Sequence, residues 1–295
     1  RTSTPRGERS ITASPDYSPP EQFQRNNSFF VTGSPQAEAA GPSSVAQVDQ
    51  AAGSGARSSV VIPKENLGLA KAYNLGIKKA KTNFVYLIEP DIEIDNKSLN
   101  KLILCAQKLK NFSVLGPVYK KNSFRINYSK YSEKLDNKDQ LNKKYKISKV
   151  NWIDNHFIIN KKIIKKNLFD ENYFLYFEIV DFCINLNRKF NNLFVTKSIK
   201  YIHYGGQASD IKYKKIIILI RAWHYNWSKF YFYRKNFTYI YAVTKILPNL
   251  IQAIKKIIIN TLRFNKFNVY VSFIECYGIL SSMLCLSSFY RAKNN

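Results

Sequence analysis

The chain has 295 residues, of which 45% are hydrophobic, and its formal net charge at pH 7 is +26. This hydrophobic content is enough to bury a core, which excludes a chain that is disordered throughout, and the length allows one large domain or two ordinary ones. A charge this positive favours polyanionic partners, namely nucleic acid, anionic lipid headgroups or phosphorylated substrates.

Cysteine usage and hydropathy indicate a cytosolic chain without a membrane span. Cys105, Cys183, Cys276 and Cys285 lie far apart and form no CxxC pair, so we interpret them as reduced thiols rather than disulfides or a metal cluster. The N-terminus lacks the apolar core of a signal peptide. Asn268 and Glu275 interrupt the most apolar stretch, 267–289, and the uncharged remainder is too short to cross a hydrocarbon layer of roughly 30 Å.

Residues 1–58 differ in composition from everything that follows. They are rich in Ser, Pro, Ala, Gly and Gln and have no lysine, whereas Lys, Asn, Ile, Tyr and Phe dominate from Val60 onward. This composition predicts a disordered tail. The abrupt change suggests a foreign, misread or fused segment, although a native linker is an alternative.

From Ser59 to Val118 the pattern predicts strands that alternate with helices. Strands are expected at 59–62, 84–88 and 114–118, with helices at 65–81 and 97–110, the second capped by Asn96. This order is typical of a parallel sheet covered by helices. The sequence therefore predicts an α/β fold of the Rossmann-like kind, with a mostly parallel sheet and helices on both faces.

The middle of the chain places acids and one histidine close together. Residues 120–149 are polar and lysine-rich and are expected to form a loop, followed by a strand at 150–159 and a short basic helix at 161–166. A helix from Phe177 to Phe190 carries Glu178, Asp181, Asn185 and Arg188 on its polar face. A strand then delivers His203 just before two glycines.

Beyond Ser209 the chain is basic, aromatic and helical, and we treat 210–295 as a third region after 1–58 and 59–209. One segment places its large aliphatic residues on one face: Leu247, Leu250, Ile251, Ile254, Ile257, Ile258 and Leu262. A basic amphipathic helix of this kind can lie in the interface of a bilayer. The alternative is a helix docked on its own domain.

An acidic turn follows the second predicted strand. Glu89 and Asp91 flank Pro90 at the carboxyl end of that strand, where open α/β sheets place ligands. Two carboxylates can hold a hard cation such as Mg²⁺ or Mn²⁺, and a neutral imidazole such as that of His203 can join them. A solvated loop and a structural histidine are the alternatives. His156 and His224 are given no site role.

Three motifs in order resemble the inverting GT-A glycosyltransferases of family 2, in particular their rhamnosyltransferase-like branch. They are ENLGLAKAYNLGIKKAKTNFVYLIEPDIEID, FDENYFLYFEIVDF and IHYGGQAS, and the resemblance covers about Val60 to Ser209. The resemblance implies a GT-A fold and transfer of a sugar, such as rhamnose or a similar hexose, from a nucleotide-diphospho-sugar. It implies an acceptor that is a cell-surface polysaccharide or a lipid-linked glycan, on the cytosolic membrane face.

The resemblance also implies residue roles. Asp91 and His203 would hold the metal, and Glu89 would lie on the nucleotide-sugar side. Asn66, Gly68, Asn74 and Gly76 match the loop and helix that flank the nucleotide, and Phe169, Asp170 and Glu171 match the turn beside the acceptor.

The general base is expected to be a carboxylate on the helix facing the cleft, Glu178 or Asp181. Two departures from the family pattern stand out. Ile179 replaces an acid that is often the base, and the strands that open the family's domain have no counterpart before Val60. We therefore expect an N-terminally truncated or chimeric transferase with impaired activity.

Two other functions remain open at this point. The tail could anchor a peripheral membrane protein without catalysis, because each Lys or Arg near an anionic leaflet contributes about 1 kcal/mol. The charge and the interleaved aromatic residues of 212–237 also suit a nucleic-acid binder. No nucleic-acid-binding motif is recognisable, so nucleic acid is not the expected partner.

Overall fold

The computed structural model describes residues 45–46, 66–88, 92–119, 127–129, 140–154, 156–203 and 214–291. Several sequence predictions fall outside these residues: the strand at 59–62, the acidic turn with Glu89 and Asp91, most of the loop at 120–149, and the glycines that follow His203.

The described residues form seven strands and eight helices. The strands are β1 (Val45–Ala46), β2 (Phe84–Leu87), β3 (Ile92–Glu93), β4 (Val114–Tyr119), β5 (Ile147–Lys149), β6 (Phe157–Asn160) and β7 (Leu193–His203). The helices are α1 (Leu69–Lys79), α2 (Asn96–Leu109), α3 (Gln140–Tyr145), α4 (Lys161–Ile164), α5 (Glu178–Phe190), α6 (Lys214–Asn236), α7 (Tyr239–Leu262) and α8 (Lys266–Met283).

The sheet is mixed, which corrects the prediction of a mostly parallel one. Its strand order is β1-β2-β6-β4-β7-β3, with β5 also paired to β7. Among the described strands only β4 and β7 run parallel, since β6 enters antiparallel between β2 and β4. A short apolar strand such as Phe157–Asn160 is buried whether it runs parallel or antiparallel to its neighbours, so its composition does not predict the strand direction.

Helices cover both faces of the sheet, as predicted. Alternate residues of the central strands point into two cores, so that Val114 and Ile159 face α1 and α5 whereas Leu115 and Ile158 face α2. The first core continues into the C-terminal helices through Phe230, Phe232, Ala242, Ile246 and Ile279. The basic helical region therefore packs on the α/β part and shares its core.

Several element boundaries differ from the predictions. Asp95, not Asn96, caps α2, because its side chain accepts the Ser98 N–H at 2.8 Å. The strand predicted at 150–159 is wrong in its first half, since an irregular segment precedes β6. β1 lies within the segment predicted as a disordered tail and pairs with β2.

The structure contains four free thiols, as expected, with Cys105 and Cys183 buried and Cys285 exposed. Among the residues that the structure describes, no helix is long and apolar enough to cross a membrane.

Candidate functional site

Two consecutive aromatic residues fix the start of α5. Tyr176 and Phe177 have φ angles of 71° and 65°, a left-handed conformation that costs a non-glycine residue on the order of 1 kcal/mol or more. Packing holds them there: the ring of Tyr176 lies 5.6 Å from Tyr225, and that of Phe177 lies 5.4 Å from Phe232. The strained pair places Glu178, the first residue of α5, in a defined position.

Glu178 is a buried acid with an unsatisfied oxygen. Glu178 is 4% exposed, and within the described part of the chain its Oε2 atom has no hydrogen-bond partner. Burial, with smaller contributions from the nearby carboxyl groups of Asp154 and Asp181, raises the pKa of Glu178 to about 8. A carboxyl group with a pKa near the working pH is suited to general base catalysis.

Asp154 and His156 form a buried polar cluster with the end of β7. His156 packs edge-on against Tyr201 and His203, with ring centroids 4.8 Å and 6.0 Å away. Burial, together with the neighbouring His203, holds the pKa of His156 well below its usual value. The charge of Asp154 contributes to raising the pKa values of both Glu178 and Tyr201, which links this cluster to α5.

Sequence reasoning missed both of these residues. His156 had been given no site role and Asp154 was not considered. A signal was available, because an acid and a histidine lie two residues apart within the strand predicted at 150–159. The other unassigned histidine, His224, stacks on Phe174, and its Nε2 lies 2.9 Å from the Tyr290 carbonyl oxygen.

His203 lies at the carboxyl end of β7, beside the end of β4. The Tyr119 hydroxyl is 3.0 Å from His203 Nδ1. On the other side of β7, Ile92 pairs with His203. Ile92 directly follows Asp91 in the sequence, so a described residue next to the acidic turn pairs with the predicted metal-binding histidine.

The residues present are compatible with a divalent cation but do not by themselves complete a site. A cation bound by His203 would have to use Nε2, because Nδ1 is engaged by Tyr119. The two carboxylates that would accompany it, Glu89 and Asp91, lie outside the described residues. Within the described ranges no group of three His, Cys, Asp or Glu side chains could hold a metal.

Asp181 has surroundings quite different from those of Glu178. Lys235 of α6 contacts its Oδ2 at 2.6 Å, Asn236 donates to Oδ1 at 2.7 Å, and Asn185 donates to Oδ2 at 3.1 Å. Burial raises the pKa of Asp181, and Lys235 opposes this rise. The polar face predicted for α5 therefore exists, but both of its acids are buried. The carboxylate of Asp181 already accepts hydrogen bonds from three side chains.

The predicted acceptor turn is bound to the same lysine. Asp170 Oδ2 accepts hydrogen bonds from Lys235 Nζ at 2.7 Å and from the Tyr231 hydroxyl at 2.9 Å. Although burial opposes it, these contacts hold the pKa of Asp170 below its usual value. Lys235 thus joins Asp170 to Asp181, and we call these residues, with Tyr231 and Asn236, the Lys235 network.

Asn74 holds the other side of this turn. Its side-chain amide donates to the Phe169 carbonyl oxygen and to Glu171 Oε1, both at 2.9 Å, and its Oδ1 accepts the Phe169 N–H at 2.9 Å. Asn74 is 1% exposed. Contact between Asn74 and a nucleotide stays a prediction; in the structure this residue fixes the turn 169–171 on α1.

The remaining predicted nucleotide residues lie at the two ends of α1. Gly68 caps its start with a φ of 77°, and a Cβ atom there would come within 2.6 Å of the Phe174 carbonyl oxygen, so only glycine fits. Asn66 Oδ1 accepts the Gly68 N–H at 3.1 Å. The Gly76 carbonyl oxygen accepts the N–H of Ala80 and ends the helix.

Comparison with solved structures gives weak similarity to S. aureus TarS. One TarS structure aligns with a TM-score of 0.35 and 16% identity over 54% of this chain and 28% of that protein. TarS 1-349, solved alone and in complex with UDP, aligns with a TM-score of 0.37 and 13% identity over 75% of this chain and 72% of that protein. The chain thus spans less than a third of the first of these relatives.

No curated protein matches the sequence. A family model does match: residues 41–170 fit the description glycosyl transferase family 2. This range contains the acidic turn, Asn74, the Asp154 and His156 cluster and the first two residues of the FDE turn. Residues 41–170, which make up less than half of the chain, are thus similar to glycosyl transferase family 2.

Proposed function

We propose that the chain transfers a sugar from a nucleotide-diphospho-sugar to an acceptor hydroxyl with inversion, and that Glu178 is the general base. The observation that carries this proposal is the state of Glu178. It combines burial, a pKa of about 8 and an Oε2 atom without a hydrogen-bond partner among the described residues. A proton from an acceptor hydroxyl would supply that missing partner.

The chemistry gives Glu178 a defined task. In its ionised form it accepts the proton of the attacking hydroxyl while the bond from the sugar to the diphosphate breaks on the opposite face. A divalent cation, which family 2 enzymes typically use, would stabilise the charge that develops on the leaving diphosphate. For this chain we propose Glu89, Asp91 and His203 as its ligands.

Asp181 has a different task in this proposal. Its carboxylate already accepts hydrogen bonds from Lys235, Asn236 and Asn185, so taking up another proton would break an ion pair. We therefore assign it the positioning of α5 and of the turn at Asp170. With Ile179 in place of an acid that is often the base in the family, Glu178 is the remaining candidate on α5.

The finer identity of the reaction rests on the sequence resemblance. The donor we propose carries rhamnose or a similar hexose, and the acceptor is a cell-surface polysaccharide or a lipid-linked glycan at the inner face of the cell membrane. The turn 169–171 is proposed to border the acceptor, and Asn66, Gly68 and Gly76 to border the nucleotide.

A panel of nucleoside-diphospho-sugars tests the proposal directly. The full chain is incubated with each donor and a mixture of glycan acceptors, with Mn²⁺ or with chelator, and release of nucleoside diphosphate is measured. We expect release with one donor class that Glu178→Gln suppresses. The matched control is Glu93→Gln, which changes an exposed acid on β3. Absence of release from every donor, or equal release by both variants, would contradict the proposal.

A further inference from the structure

The C-terminal helices present apolar side chains on their outer side. On α7 six exposed aliphatic residues recur at helical spacing: Ile240, Leu247, Ile251, Ile254, Ile258 and Leu262. Their exposures run from 45% to 77%, values expected of surface lysines rather than of isoleucines. They form one stripe along the whole length of α7.

α8 carries a second exposed stripe, and it is partly aromatic. Its members are Tyr270, Phe273, Tyr277 and Leu280, continued by Leu284, with exposures from 44% to 71%. Phe264, in the turn that joins the two helices, is 90% exposed. We call the two stripes together with Phe264 the α7–α8 face.

Among the described residues, these helices pack on the rest of the chain mainly through their other sides, although the ring of Tyr277 also lies 6.4 Å from that of Trp223. α7 contacts its neighbours through the buried Ala242, Ile246 and Ala253, which lie on another side of the helix. α8 is seated closely on α6, since a Cβ atom at Gly278 would lie 2.4 Å from the Trp223 carbonyl oxygen. The helices are therefore held in place while a large apolar surface is left uncovered by the described residues.

The charge around the face selects its partner. Residues 214–291 contain eight lysines, four arginines and a single acid, Glu275, and that acid is paired with Lys256 at 2.9 Å. Lys255, Arg263 and Lys266 are exposed beside the stripes. A second copy of the chain would bring like charges together, whereas an anionic bilayer matches both the apolar stripe and its basic margin.

We propose that the α7–α8 face docks in the plane of an anionic lipid bilayer, with the aliphatic and aromatic side chains below the headgroups and the basic residues among them. This inference goes beyond sugar transfer and does not depend on it. Tyrosine and phenylalanine suit this depth, because their rings are apolar and the tyrosine hydroxyl remains hydrated.

Flotation of the full chain with vesicles tests the proposal without any sugar donor. We expect the chain to float with vesicles of 70% phosphatidylcholine and 30% phosphatidylglycerol, and weakly with phosphatidylcholine alone. The double variant Ile254→Gln, Ile258→Gln should lower partitioning by about 10- to 100-fold, because two aliphatic side chains lose their burial below the headgroups. Both residues are exposed, so circular dichroism should show an unchanged fold.

Leu104→Gln is the matched control, since Leu104 on α2 is 48% exposed, nearly the same as Ile254 at 47%. It should change partitioning by less than twofold. The proposal is overturned if the double variant floats as well as the unchanged chain, or if neutral vesicles bind equally well. Loss of a solution dimer in the double variant, with flotation unchanged, would instead identify the face as a contact between two copies.

Discussion

Glu178 and Asp181 lie one turn apart on the same face of α5, yet the structure gives them opposite surroundings. Glu178 lies among other acids and has an oxygen without a partner in the described part of the chain, and its pKa rises to about 8. Asp181 is ion-paired to Lys235 and accepts two further hydrogen bonds. The carboxyl group of Glu178 is thus suited to exchange a proton, whereas that of Asp181 is stabilised in its ionised form.

The difference comes from α6, which is distant in sequence. Lys235 and Asn236 reach Asp181 across more than 50 residues, at separations of 54 and 55. Helical spacing predicts that two residues share a face. It does not predict which neighbouring element each of them meets.

The largest expected effect is that of Glu178→Gln on turnover. Removing a general base typically lowers the rate by about 10²- to 10⁴-fold, and glutamine keeps the shape of the side chain, so stability near pH 7 should change little. Steady-state kinetics and thermal unfolding, measured together, check this. If the Asp181→Asn variant lost turnover and remained fully stable, Asp181 rather than Glu178 would be the general base.

Breaking the Lys235 network should cost the most stability. Lys235→Met leaves Asp181, which is 1% exposed, as a buried charge without its cation, and this typically costs about 3 kcal/mol or more. Urea unfolding measures the free energy change. The additional change Asp181→Asn should recover part of the loss, because the unpaired charge is then removed.

The matched control for this prediction is Lys256→Met, which breaks the pair with Glu275. In that pair the lysine side chain is 42% exposed, and a solvated ion pair contributes about 1 kcal/mol or less. If Lys235→Met and Lys256→Met lowered the free energy of unfolding equally, the buried ion pair of Asp181 would be no more important than the solvated pair of Glu275.

The raised pKa of Glu178 predicts a specific dependence of stability on pH. Between its usual pKa of 4.5 and the folded value of about 8, the folded chain retains a proton that the unfolded chain releases. The stability contributed by this group is therefore complete below about pH 4.5 and is lost as pH rises through 8, at roughly 1.4 kcal/mol per pH unit.

Among the described residues, Asp154, Asp181, Tyr173 and Tyr176 interact electrostatically with Glu178. Because Glu178→Gln removes the titration but keeps these neighbours, unfolding free energies of the variant should lose this slope between pH 5 and 8. Turnover of the unchanged chain should rise over the same interval as the base ionises. A slope that persists in the variant would assign the titration to another group.

The smallest expected effect is that of Tyr119→Phe. It removes the hydroxyl that contacts His203 Nδ1 at 3.0 Å, and one partly buried hydrogen bond typically contributes about 1 kcal/mol. Chemical unfolding should show a loss of that size with the fold unchanged. A loss as large as that in Lys235→Met would mean that the end of β7 is part of the structural network rather than of the site.

Local patterns predicted much of the fold. The helices α1, α2 and α5, the strands β2, β4 and β7 and the covering of both sheet faces follow from apolar periodicity and turn residues, which act within a few residues of one another. The long aliphatic stripe of α7 was also visible in the sequence. Strand direction was not, because β6 is equally apolar whether it runs parallel or antiparallel to its neighbours.

The sequence by itself determined the similarity of residues 41–170 to glycosyl transferase family 2, the acids of α5, the FDE turn and the basic character of the C-terminal helices, because each of these depends on residues close together in the chain. Only the tertiary structure decided that Asn74 holds the turn at Phe169, that Lys235 neutralises Asp181 and that Asp154 lies near Glu178. These relations join residues from 24 to 95 positions apart. Such contacts depend on how the elements pack, and packing is not encoded in any single stretch of the chain.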